Sequence, residues 1–248
     1  MHGNTNFMNK ANHFFRNALI IASISITTFS CNQDKPLGPI TEKTETYNDI
    51  HTVIINVPGS VSIIPDTAFS VTVQAHEEIV DAITLTNTLG QLTVSIPVPE
   101  EGLKYDIFNV TVRSKMVREV TNNLSSDVTV GDVMNYTSAK INQNGTGTII
   151  VNHITSNLTE VNLSGTGTLT LGGTTENANL KLIGTGNIKS FDLVGENVIA
   201  NISGSGNIET TASSTLGAII SGTGSIYYKG NPTIDVSITG TGTIKDAN

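Results

Sequence analysis

The chain has one cysteine, no tryptophan and few aromatic residues, 5% of its 248 positions. A lone thiol, Cys31, rules out any internal disulfide, so packing and hydrogen bonds must hold the fold. Basic charge is scarce as well. After residue 30 the only arginines are Arg113 and Arg118, and 11 Lys and Arg face 21 Asp and Glu, a formal charge of −10. A nucleic-acid ligand demands a basic face, which this balance excludes. Long apolar runs are missing too. The stretch Ala18 to Phe29 holds 12 residues, too few to cross a bilayer as a helix. Thr, Asn, Gly and Ile are abundant instead, the usage of a secreted β-rich protein.

The short apolar run has a meaning of its own. Lys10 and Arg16 precede it and Ser30-Cys31 closes it, the basic, apolar and small regions of a signal peptide over residues 1–30. Thr28-Phe29-Ser30-Cys31 resembles a relaxed bacterial lipobox of the Bacteroidetes kind. That resemblance implies cleavage before Cys31 and a diacylglyceryl group on its sulfur, hence an outer-membrane lipoprotein on the cell surface or the periplasmic face. The first seven residues carry no signal character, which makes Met8 a candidate start. Residues 31–46 then read as a lipidated cysteine and a flexible tether, with Pro36, Gly38, Pro39 and mixed charges.

Six Gly-hydroxyl-Gly triplets dominate the C-terminal half. Their central residues are Thr146, Thr166, Thr185, Ser205, Thr223 and Thr241, spaced 18 to 20 apart. Self-similarity at a short fixed period predicts a solenoid, with one rung per repeat. Two residues before the first glycine stand Gln143, Leu163, Leu182, Ile202, Ile220 and Ile238; four after it stand Ile149, Leu169, Ile188, Ile208, Ile226 and Ile244. Even offsets are apolar or glycine and odd offsets mostly polar, which is the period of a half-buried strand. The linking half-rungs are too short for a crossover helix. The fold class expected is therefore all-β, a parallel β-helix whose equivalent residues stack about 4.8 Å apart.

Stacking turns repeated positions into columns. The six central hydroxyls form one, and Thr148, Thr168, Asn187, Asn207, Ser225 and Thr243 a second, both expected to point outward. The glycines either face inward, where a Cβ has no room, or sit at corners that need positive φ. Lys189 and Glu209 should pair across rungs. Tyr227 and Tyr228 either offer a ring to a sugar or divide between the core and the tapering end.

The domain expected over 47–248 has an irregular part, 47–140, before the regular rungs of 141–248. Val53 to Val57, Val61 to Ile64, Val71 to Gln74, Leu92 to Ile96 and Val110 to Val112 read as strands, with Pro and Gly breakers between them. Glu77 to Ala82 reads as one helical turn. Val128 to Gly131 reads as the last irregular rung.

Chemistry is sparse. No triplet has the third glycine of a dinucleotide fingerprint or the Lys of a phosphate loop. No Asp follows the glycines as a calcium repeat requires. Glu160, Glu176, Asp192, Glu196, Glu209 and Asp235 have different offsets, so they should scatter around the coil rather than pair for hydrolysis. His51, His76 and His153 have no nucleophile or ligand spacing beside them. We expect no catalysis, no cofactor and no metal.

Ile50-His51-Thr52-Val53-Ile54-Ile55-Asn56-Val57-Pro58-Gly59-Ser60-Val61-Ser62-Ile63, then Leu92-Thr93-Val94-Ser95-Ile96, then the serial Ser-Gly-Thr-Gly units together resemble the putative auto-transporter adhesin, head GIN domain family (DUF2807). The likeness runs from about Tyr47 to Lys245. It departs at Asn122-Asn123-Leu124, where the family shows another Ser-Gly unit, and this leaves the register of the middle rungs open. The resemblance implies a right-handed β-helix and an adhesive role. It supplies no catalytic residue. The function expected is a non-catalytic binding or structural module on a lipid anchor, with a glycan or protein surface as ligand. A periplasmic scaffold for a protein partner is the alternative, and a carbohydrate-active enzyme the distant one.

Overall fold

The computed structural model describes residues 37–97, 104–132 and 134–248. The signal segment and Cys31 lie outside them. Wherever apolar and polar residues alternate, a strand forms. In chain order these are β1 (Ile40–Tyr47), β2 (Thr52–Asn56), β3 (Ser60–Pro65), β4 (Phe69–His76), α1 (Glu77–Ala82), β5 (Thr84–Thr88), β6 (Gln91–Ser95), β7 (Phe108–Ser114), β8 (Glu119–Asn122) and β9 (Asp127–Val130). The longer strands β10 (Met134–Gln143), β11 (Thr148–Gly165), β12 (Thr168–Gly184), β13 (Asn187–Gly204) and β14 (Asn207–Gly222) follow. The last are β15 (Ser225–Lys229), β16 (Thr233–Gly240) and β17 (Thr243–Asp246).

From β10 onward each strand pairs in parallel with its successor one rung away. Leu163 lies beside Leu182, Leu182 beside Ile202 and Ile202 beside Ile220. Columns of like side chains fill the interior, with Leu169, Ile188, Ile208 and Ile226 buried at 0% exposure. This is a β-solenoid of about six turns, the parallel β-helix expected. Lys189 stands opposite Glu209. Tyr228 packs against the core, and Tyr227 carries the Lys245 ammonium 5.3 Å from its ring centroid. The tyrosines thus divide between core and end.

The register left open at Asn122-Asn123-Leu124 is fixed. Gln143 lies beside Asn122, the Asn144 N–H donates to the Asn122 carbonyl at 2.8 Å, and Gly145 packs over Leu124. Leu124, Ser125 and Ser126 thus take the corner that a triplet takes elsewhere. The price is polar groups in the core: Asn122 and Gln143 are fully buried. Each makes one amide N–H bond, to Ser126 O at 2.8 Å and Gly147 O at 3.2 Å. Their carbonyl oxygens have no partner.

The N-terminal half departs from simple rung order. β2 pairs in parallel with both β6 and β8, and β3 with both β7 and β9. The β2–β3 rung therefore sits between two rungs that follow it in sequence. Beyond the β6–β7 rung the sheet turns antiparallel, with β4 on β7, β1 on β4 and β5 on β6. These strands and α1 finish one end of the solenoid. The five strand runs and the helical turn of the sequence reading are all present. The tether corrects it: residues 40–46 belong to β1, paired from Ile40–His76 to Tyr47–Phe69. Its charges resembled a linker, but they are the dress of an edge strand. Lys43 and Glu45 form an ion pair at 2.8 Å, and Thr44 bonds Thr72 at 2.9 Å.

Candidate binding surface

The triplet corner is built by its two glycines in different ways. The first, in five of six copies, has φ between 119° and 144° (Gly165, Gly184, Gly204, Gly222 and Gly240), open to glycine alone. The second faces inward. A Cβ on Gly186 would stand 2.7 Å from Leu163 Cδ2 of the rung beneath, and one on Gly206 2.8 Å from Leu182 Cδ2. Both sequence alternatives therefore hold, one for each glycine. The corners are knit along the axis as well. Gly184 O accepts the N–H groups of Ser205 at 2.9 Å and Gly206 at 3.2 Å, and Gly204 O those of Thr223 and Gly224.

This geometry leaves the middle residue outside. Thr146, Thr166, Thr185, Ser205, Thr223 and Thr241 are all exposed. Among the described residues their hydroxyls make no side-chain hydrogen bond, and successive rungs set them about 4.8 Å apart. The second column behaves differently. Asn207 Nδ2 donates to Asn187 Oδ1 at 3.3 Å, Ser225 N donates to Asn207 Oδ1 at 3.1 Å, and Ser225 and Thr243 share a bond at 3.0 Å. From Asn187 onward its groups largely satisfy one another, whereas the corner hydroxyls of the six triplets make no such bond among the described residues.

The flat side that enters the corner carries features the sequence reading missed. Asn123 Nδ2 donates to Asn56 Oδ1 at 2.6 Å, Asn144 Nδ2 to Asn123 Oδ1 at 2.7 Å, and Asn162 Nδ2 to Asn142 Oδ1 at 3.0 Å. Further along the same face Ile183, Ile199 and Ile219 are 43%, 50% and 41% exposed. Asn142 and Asn162 each stand three residues before a triplet, the legible signal for their pairing, and Lys181 takes that place on the next rung.

The acidic residues are mostly scattered, with one correction. Thr175 and Asn177 pair with Gly195 and Asn197, so Glu176 and Glu196 occupy the same place on successive rungs. Glu176 accepts from Asn157 Nδ2 at 3.1 Å. Among the described residues no group of three or more His, Asp or Glu is placed to hold a metal ion.

His76 is not isolated. Its Nδ1 meets Gly38 O and its Nε2 meets Asp106 Oδ1, both at 2.6 Å. The bond to Gly38 and then the Asp106 carboxylate raise its pKa above the ordinary histidine value, and His76 holds Asp106 below the ordinary carboxylate value. The pair ties two loops at the finished end of the solenoid. Asp66 at the β3–β4 turn is likewise lowered, by the Ala68 N–H and then by Arg113 at 3.3 Å. His51 lies 3.9 Å from Asp49, and His153 touches Thr155 at 3.3 Å.

A solenoid with glycine corners and a free hydroxyl column is the setting for the comparison with known proteins. The pattern of the putative auto-transporter adhesin, head GIN domain family matches residues 49–232. The chain belongs to this family. Solved structures agree with the head GIN fold. A putative adhesin from Bacteroides fragilis NCTC 9343 is 25% identical with a TM-score of 0.80, covering 85% of this chain and 98% of its own. A putative lipid binding protein from Parabacteroides distasonis ATCC 8503 is 22% identical with a TM-score of 0.68, covering 85% and 98%. A putative adhesin from Parabacteroides merdae ATCC 43184 is 20% identical with a TM-score of 0.64, covering 85% and 97%. Among curated proteins there is no match.

Proposed function

We propose that this head GIN domain is a non-catalytic binding module of the cell envelope, held to the membrane by a lipid on Cys31. One observation carries the reading: six exposed hydroxyls in register along one corner, none in a side-chain hydrogen bond among the described residues. Such a row meets a repetitive polymer or a broad partner surface through many weak contacts, whose sum grows with the number engaged. The adhesin descriptions of the family and of two structural relatives support the same reading.

The exposed Ile199 and Ile219, diagonal neighbours on adjacent rungs, favour a second reading, a periplasmic scaffold with a protein partner, since adjoining surface apolar residues suit protein contacts. Protease treatment of intact cells separates the two, with a periplasmic protein as control. Digestion of the domain on intact cells supports surface adhesion. Protection until lysis removes that reading and leaves the scaffold. Loss of membrane association in Cys31→Ala tests the anchor.

A further inference from the structure

β10 has a strand on both sides only in its second half. β10 pairs with β8 only over Lys140–Gln143, whereas it pairs with β11 from Met134 onward. Among the described residues Met134–Ala139 thus has a strand on one side alone. Two hollows open there and share Asn135 and Thr155. One of about 490 Å³ is lined by Asn135, Tyr136, Thr137, Thr155, Ser156 and Asn157. The other, about 210 Å³, adds Asp132, Met134 and His153. Both are shallow and open to solvent, the form of a site for an extended chain rather than an enclosed small ligand.

Tyr136 gives this place its character. Among the described residues Tyr47 and Tyr228 pack against the core, whereas Tyr136 is half-buried on the strand with the open edge. In the following rungs its column continues as Ser156, Thr175 and Gly195, so no bulky side chain stacks on it. A half-buried ring is left lining a hollow. Around it the groups are amides and hydroxyls. Asn135 and Thr137 are exposed and make no side-chain hydrogen bond among the described residues. Asn157 Nδ2 donates to Glu176 at 3.1 Å and its main-chain oxygen accepts from Asn177 at 3.3 Å, which leaves the side-chain Oδ1 for a ligand. Among the described residues no Lys or Arg lines either hollow; Asp132 lines one and Glu176 is bonded to Asn157 beside the other, so anions are disfavoured.

We propose that this hollow is a binding site for an uncharged saccharide chain, separate from the corner hydroxyl column. The weakly polar C–H face of a pyranose would lie on the Tyr136 ring, an amphipathic surface that orders at small entropic cost. Its hydroxyls would bond Asn135, Thr137 and Asn157, which explains polar side chains where a strand edge would otherwise be bare. A purely apolar ligand would strand these amides unpaired.

The test is calorimetric titration of the purified protein with four neutral hexasaccharides: maltohexaose, cellohexaose, mannohexaose and N-acetylchitohexaose. Hexagalacturonate serves as the charged control. At least one neutral chain should bind and hexagalacturonate should not. Tyr136→Ala should weaken that binding about tenfold, while Tyr136→Phe keeps it, because the ring face carries the contact. The Thr166, Thr185 and Thr223→Ala triple variant should titrate like the wild type. Should Tyr136→Ala fail to fold, the Asn135→Ala, Asn157→Ala double variant gives the same readout. The inference is overturned if no neutral chain binds, if hexagalacturonate binds more tightly, or if binding survives both the ring and the amide substitutions. None of these outcomes bears on where the domain sits in the envelope, which the protease experiment decides separately.

Discussion

His76 is asked for two hydrogen bonds by groups that can only accept, the Gly38 carbonyl and the Asp106 carboxylate. Only the doubly protonated imidazolium can satisfy both. Its pKa in the fold lies above the ordinary 6.5, so its stabilisation is fully present below 6.5 and lost as pH rises through the folded value. Asp106 is lowered from 3.8, so its share is lost as pH falls through its own folded value. The gap in melting temperature between wild type and His76→Gln should be widest between these limits and close on the alkaline side. An NMR titration should place the His76 midpoint above 6.5; a midpoint at or below 6.5 contradicts the assignment. Leu89 makes a second case. It is 93% exposed with φ 51°, followed by Gly90 at φ 78°, the signs of a type I′ turn that favours Asn-Gly. Leu89→Asn should raise stability by about 1 kcal/mol, read as a higher urea midpoint at constant slope. A lower midpoint would mean that Leu89 is held by a contact the turn geometry does not reveal.

At the level of the rung, the triplet corner separates what folds from what is presented. Gly206→Ala drives a Cβ into the Gly186 carbonyl oxygen of the neighbouring rung and towards Leu182, and should cost at least about 2 kcal/mol. Ser205→Ala, one residue away, should change stability by less than about 0.5 kcal/mol. Urea denaturation of the pair checks both; equal effects would contradict the division of labour at the corner. Gln143 belongs to the column of Leu163, Leu182, Ile202 and Ile220, yet carries an unpartnered buried oxygen. Gln143→Leu removes that oxygen along with one 3.2 Å bond to Gly147, whose carbonyl also accepts from Thr168. It should be neutral or stabilising by about 1 kcal/mol; marked destabilisation would mean that the amide is needed in the core. The rungs were legible because glycine at both flanks of one hydroxyl, repeated six times, admits few geometries. Tyr136 was not, because its column runs Tyr, Ser, Thr, Gly and carries no repeat. The His76–Asp106 pair was equally hidden, since 30 residues separate its members and no spacing rule joins them.

Across the whole molecule the two ends differ. One is finished by β1, β4, β5 and α1. At the other, Ile234, Val236 and Ile238 are 38%, 43% and 41% exposed, although Leu216, Ala218 and Ile220 beneath them are buried. Amides of β16 and β17 should therefore exchange with solvent before those of β11 to β13. The sequence showed that strands alternate but not which strands pair: period two is the same for the parallel β2 and the antiparallel β4. For that reason the insertion of the β2–β3 rung between later rungs, and the strand character of residues 40–46, came only from the structure. The corner column, by contrast, was readable position by position, and the structure leaves its hydroxyls free. The most direct measurement is the retention of cells or beads bearing this domain on glycan and matrix-protein surfaces. Wild type would be compared with the Thr166, Thr185 and Thr223→Ala variant after showing equal melting temperatures, both in excess of any neutral oligosaccharide found to fill the Tyr136 hollow. The account predicts that wild type is retained and that the variant loses most of that retention. Unchanged retention in the variant would contradict it, and the hydroxyl column would then be a by-product of the glycine corner.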